Sequence, residues 1–260
     1  MQAMAPWTAY HFSPKFRFTA RSIKKHWPRL HAGDREPMPQ DESLLAAWAA
    51  FHRGEFEQAT KAGLSLGLAG YTVANKATCI YANHLEPREK TKLDLFLQVS
   101  ERATEQIAAH PTNANAHYLL AYSLGRYSQG ISVAKALAKG LGGKVKTALE
   151  TAIRLEPMHA DAHIALGTFH AEVIDKVGTL IGNMTYGAKK DTGQRLLEYG
   201  LSLYPDSPSA LLEYAHGMVL LDAEHYADHC TELYQKVMSL KPLDACDRLS
   251  IELARAELAD

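Results

Sequence analysis

Thirteen histidines raise the question of a metal site. His159 and His163 stand four residues apart, as do His225 and His229, and Glu224 and Asp228 flank the second pair. Residues four apart share one face of a helix, so each pair would offer two imidazoles to one ion. A structural zinc site needs four ligands and a catalytic one needs three plus water. No third ligand follows from the spacing, and Pro157 leaves His159 in or just before a helix start. Exposed or hydrogen-bonded helix histidines are the plainer account. The expectation is therefore no metal and no cofactor, with a metal-dependent enzyme as a remote alternative.

Two other patterns touch on chemistry. The stretch KGLGGKV, residues 139–145, approaches a phosphate-binding loop, but Ala138 and Val145 occupy positions that need Gly and Ser or Thr, and no strand precedes it. A glycine turn between helices is expected instead. The three cysteines, Cys79, Cys230 and Cys246, lie in helical patterns as small packing residues, with no C-x-x-C spacing. No G-x-S-x-G elbow occurs. The chain is not expected to be an enzyme.

Composition narrows the partners. In 260 residues, 47% are hydrophobic and 22% charged, with a formal net charge of −1, so no global field draws the protein to nucleic acid or an anionic membrane. No apolar run reaches the ~18 residues of a membrane span. The N-terminus shows no signal-peptide core, and the odd, unpatterned cysteines imply a reducing compartment, so a cytoplasmic location is expected. Residues 1–40 form a separate basic, aromatic strap: Lys15, Arg17, Arg21, Lys24, Lys25, Arg29 and Arg35 stand against Asp34 and Glu36. Its aromatics Phe12, Phe16, Phe18 and Trp27 would pack on the body while its charges face water; a docking arm for an acidic partner is the other reading.

Proline punctuates the rest, residues 41–260. Pro111, Pro157, Pro205 and Pro242 each follow an amphipathic helix and precede a new one, with Asn, Asp or Ser nearby to cap it. They lie 46, 48 and 37 residues apart, against a period of about 34 for proline-terminated helical repeats. An earlier unit carries Ala47, Gly54-Glu55-Phe56 and Ala59, and another pair follows with Leu85-Glu86-Pro87 in its loop. The chain resembles the tetratricopeptide repeat (TPR) family over residues 43–258. That resemblance implies an all-α fold, a right-handed α-solenoid of about five helix hairpins closed by a capping helix at 245–258. It places the small residues of helix crossings at Ala121, Gly167 and Ala215 on first helices, and at Val145, Gly193 and Cys230 on second helices.

Two repeats exceed the norm by about a dozen residues, and both excesses fall between the helices of a pair, at 127–146 and 171–190. Each starts with apolar helix spacing and breaks at glycines. The first helix of each pair is expected to run about two extra turns, and the neighbouring extensions to bury their apolar faces together. This would be extra core, or the wall of a groove or small apolar cavity. The long-helix pattern, LGTFHAEVIDKVGTLIGNMTYG above all, is similar to the branch holding the T-component proteins of TRAP transporters and the regulator of microtubule dynamics family. That branch implies a non-catalytic superhelix engaging a protein, with a hydrophobic cavity in transporter-associated members.

By the family's geometry the first helices line the concave face. This assigns partner contacts to Asn115, Tyr118, Tyr122 and Arg126, to Asp161, Thr168 and Glu172, and to Glu213 and His216. Tyr118 and Tyr122, four apart, would serve recognition or pack on each other. Lys144, Lys146, Lys189 and Lys190 near the extensions would meet an acidic partner. The Lys and Asn arrangement that clamps a chaperone's C-terminal carboxylate is not visible. The functional expectation is a scaffold for an unidentified protein or peptide; the alternative is a carrier of a small apolar ligand.

Overall fold

The computed structural model describes residues 6–259, and every regular element in that range is helical. After a strap containing α1 (Ala20–Ile23) and α2 (Trp27–Leu30), the helices pair as antiparallel hairpins: α3 (Glu42–Arg53) with α4 (Phe56–Ser65), and α5 (Tyr71–His84) with α6 (Glu89–Ala109). Next come α7 (Ala114–Gln129), a short α8 (Val133–Ala138), and α9 (Leu141–Leu155), which packs on α7. The series continues with α10 (Ala160–Tyr186) on α11 (Lys190–Leu203), then α12 (Pro208–Leu221) on α13 (Ala223–Ser239), and ends at α14 (Ala245–Glu257). This is an α-solenoid of five hairpins and a terminal helix.

The prolines set the register. Helices α7, α10, α12 and α14 each begin three residues after their proline. Asn113, His159, Ser207 and Asp244 cap them by accepting from a backbone N–H in the first turn. A histidine in that role is unusual, and here Nδ1 of His159 accepts from Ala162 at 3.1 Å. Small residues then let the paired helices meet. A Cβ added at Gly167 would lie 2.9 Å from the Gly193 carbonyl oxygen and 2.6 Å from Cγ of Leu197, so the α10–α11 crossing tolerates no side chain there. Ala121, Ala215, Ala47 and Ala59 are all buried in the same way, whereas Cys230 is half-buried.

The extensions depart from expectation. Helix α7 stops at Gln129; Ser132 caps α8 through the Lys135 N–H, and Ile131 turns inward onto the core shared with α9. The side-chain cap offers the backbone a fresh start that competes with continuing α7. Helix α10 does run on, for 27 residues, but bends at Gly178, whose φ of 79° and ψ of 159° only glycine adopts without strain. The two extensions do not bury their apolar faces together: Val133, Leu137, Leu180, Ile181 and Met184 remain exposed.

The strap departs too. Its seven cations are exposed and Trp27 is buried, but Asp34 is buried rather than facing water. Residues 31–36 run into the concave side of the solenoid. Asp34 meets Lys76 of α5 in an ion pair, the Gly33 carbonyl accepts from the Asp161 N–H at 3.1 Å, and Asn115 donates to Asp34 O and to Glu36 Oε2. The ends of the solenoid also meet. Helix α3 packs on α14, Tyr10 of the strap and Ala245 of α14 both pack against Gly54, and His52 contacts Asp244 at 2.5 Å.

Candidate ligand chamber

Contact between the ends of the superhelix leaves a half-open chamber of about 1090 Å³ on its concave side. Helix α10 runs along it from Asp161 to Val177, about 24 Å at 1.5 Å per residue. Near the starts of α7 and α10 the lining is polar and aromatic: Asp34, Lys76, Tyr118, Asp161, Tyr204, Asp244 and Asp247. Towards the extensions it becomes apolar: Ile131, Val133, Leu137, Phe169, Val173 and Val177. Between the two lies a belt in which Arg126 of α7 pairs with Glu213 of α12, and Gln129 donates to Glu172 at 2.6 Å. The Thr168 hydroxyl, in a residue only 7% exposed, has no hydrogen-bond partner among the described residues.

Eight of the nine residues assigned to partner contact lie on this chamber: Tyr118, Tyr122, Arg126, Asp161, Thr168, Glu172, Glu213 and His216. Asn115 does not. It is buried, gives its amide hydrogens to the strap, and accepts with Oδ1 from Nε2 of His159 at 3.1 Å. Tyr118 and Tyr122 do both things open to them, packing at 6.1 Å between ring centroids while lining the chamber. Of the histidines considered for metal, His159, His163 and His229 have other side-chain partners. Nε2 of His163 donates to the Pro157 carbonyl, and His229 reaches Glu232 on the surface. Among the described residues no group of three His, Cys, Asp or Glu is placed to hold an ion. Of the surface lysines at the extensions, Lys146 pairs with Glu150 and Lys190 with Asp222.

A buried chain of charge under the chamber floor has no counterpart in the sequence reading. Lys76 meets Asp34, Asp34 accepts from Nδ1 of His31 at 3.0 Å, Nε2 of His31 faces Nε2 of His52 at 3.2 Å, and His52 meets Asp244. With His31 neutral and its proton on Nδ1, its Nε2 can only accept, so Nε2 of His52 must donate. One further proton is then shared between Nδ1 of His52 and Asp244. Burial pushes His31 down to about 4, which keeps it neutral. Burial alone would raise Asp34, but Lys76 and His31 overcome it and hold the carboxyl well below its ordinary range. Asp244 is likewise held low against burial by His52. Three other acids go the other way: burial raises Glu36 to about 8, Asp247 to about 8 and Asp161 to about 6, each pushed further by a neighbouring carboxylate and only partly offset, Glu36 and Asp161 by Lys76 and Asp247 by the Leu243 N–H.

The hairpin series, the small residues at its crossings and its solved counterpart agree. A thermophilic TPR protein of Thermus thermophilus superposes with a TM-score of 0.56 at 18% identity, covering 82% of this chain and 97% of that one. The fold is that of a TPR-like helical repeat protein. The family model described as Regulator of microtubule dynamics protein 1-3 matches residues 71–177, from the first residue of α5 to the residue before the Gly178 bend. No curated protein sequence matches the chain. Repeats of this kind build extended concave surfaces. No helix among the described residues is long and apolar enough to cross a membrane.

Proposed function

We propose that this protein is a non-catalytic binding protein whose concave face forms a half-open chamber for a small, elongated, mainly apolar ligand. One observation carries the reading: a space of about 1090 Å³, walled by residues of both extensions, lies where an open TPR groove would be. Ligand sites are commonly about 300–1,000 Å³; this one is at the upper edge of that range, apolar towards the extensions and charged at the other end. The strap occupies the part of the concave side where Asn115 stands, and this argues against a long peptide lying along the whole superhelix. Catalysis finds no support in the thiols. Burial lifts Cys79 to about 12 and Cys246 well above its ordinary value, so neither is a nucleophile at neutral pH.

The protein-partner reading keeps one specific support: the exposed Leu180, Ile181 and Met184 on the far arm of α10. A fluorescence titration with N-phenyl-1-naphthylamine separates the two. The chamber predicts saturable one-to-one binding that Ala165→Trp abolishes, since Ala165 lines it, while Met184→Asp leaves it intact. Absence of saturable binding in a folded wild-type protein would return the account to a protein partner.

A further inference from the structure

The charges around the chamber do not balance. Eight carboxylates line it against three cationic side chains, and each of those cations is already matched: Lys76 with Asp34, Arg126 with Glu213, and Lys176 with Glu172. Asp244 is taken by His52, and Glu252 by Arg248 and Arg255. The Asp161 carboxylate is left with no hydrogen bond of its own among the described residues. It sits against the Cα of Gly33, at the polar end, and the one cation acting on it, Lys76, is already ion-paired with Asp34. Asp247 lies at the same end and accepts one backbone N–H, from Leu243.

Aromatic rings gather at the same place. Phe51, Tyr118 and Tyr204 line the polar end; Lys76 already stands over Phe51 at 6.0 Å, and one turn along α7 the guanidinium of Arg126 stacks over Tyr122 at 5.3 Å, which leaves the faces of Tyr118 and Tyr204. Ring faces beside an unpaired carboxylate suit an ammonium group and repel an anion. The unpartnered Thr168 hydroxyl lies two turns further along α10 on the face of Asp161, and from there the apolar wall begins.

We infer that the chamber binds a cationic amphipath, an organic amine or quaternary ammonium with its head at Asp161 among the tyrosines and its tail against the extensions. This rests on the chamber being a ligand site. A half-buried carboxylate among other carboxylates with no cation of its own is a cost to the empty protein, and a cation of the ligand's own supplies the missing partner. An anionic head would meet a surplus of carboxylates, and an uncharged one would leave Asp161 as it is.

Calorimetry with ligands of one tail length tests both layers: decyltrimethylammonium, decylamine, decanol and decanoate, each below its micelle concentration. The two cations should bind one per chain, tighter than decanol by about tenfold or more, with decanoate weakest. In Asp161→Asn the cation preference should collapse towards the decanol value while decanol itself is unchanged, and Asp161→Glu should keep part of it. Decanol or decanoate binding as tightly as the cations would overturn the ammonium assignment and leave the chamber standing. Failure of all four to bind the wild-type protein would overturn both. The wild-type series decides the matter even where a variant does not fold.

Discussion

Glu36 shows how a single half-buried side chain ties the strap to pH. Its Oε2 accepts from Asn115 at 2.7 Å, yet burial and the adjacent Asp34 charge raise it to about 8 from an unfolded value near 4.5. Below 4.5 both states hold the proton and the group costs nothing. As pH rises from 4.5 to about 8, the unfolded chain ionises first, so the wild-type fold loses stability across that window. Glu36→Gln keeps an acceptor for Asn115 and cannot ionise. Denaturant unfolding should therefore show the variant overtaking the wild type progressively between pH 4.5 and 8, by a margin on the order of a few kcal/mol. A pH-independent difference would mean that Glu36 is solvated in the fold.

The elements were the most legible part of the chain. Pro111, Pro157, Pro205 and Pro242 mark helix starts three residues on, because proline ends one helix and the residue two places later caps the next. Gly167 and Gly193 were assigned to a crossing from their register, and the structure places them there. Gly167→Ala should accordingly cost about 1–3 kcal/mol in thermal or denaturant unfolding, since the colliding atoms include backbone and cannot rotate away. A neutral effect would show α10 and α11 to be further apart. The end of α7 was not legible, because Gln129, Gly130 and Ile131 permit helix or turn and the outcome depends on Ser132 and on where Ile131 packs. The burial of Asp34 was hidden for a stronger reason. Its partners Lys76 and Asn115 lie far away in the chain, and no periodicity in residues 1–40 announces a pairing across such distances.

At the scale of the molecule, contact between the two ends of the superhelix deepens its concave side into a half-open chamber. His52 and Asp244 connect the first hairpin to the terminal helix, while the strap fills the central gap between α5, α7 and α10. The nine positions read from the family's geometry largely found the chamber wall, because a first helix presents the same face inward whether or not the ends of the superhelix meet. The contact between the ends was beyond that reading. Native mass spectrometry of protein purified without detergent tests the chamber most directly. The account predicts a wild-type chain carrying one small molecule, released by mild activation and missing from Ala165→Trp. A bare wild-type chain, or an adduct equally present in that variant, would contradict it.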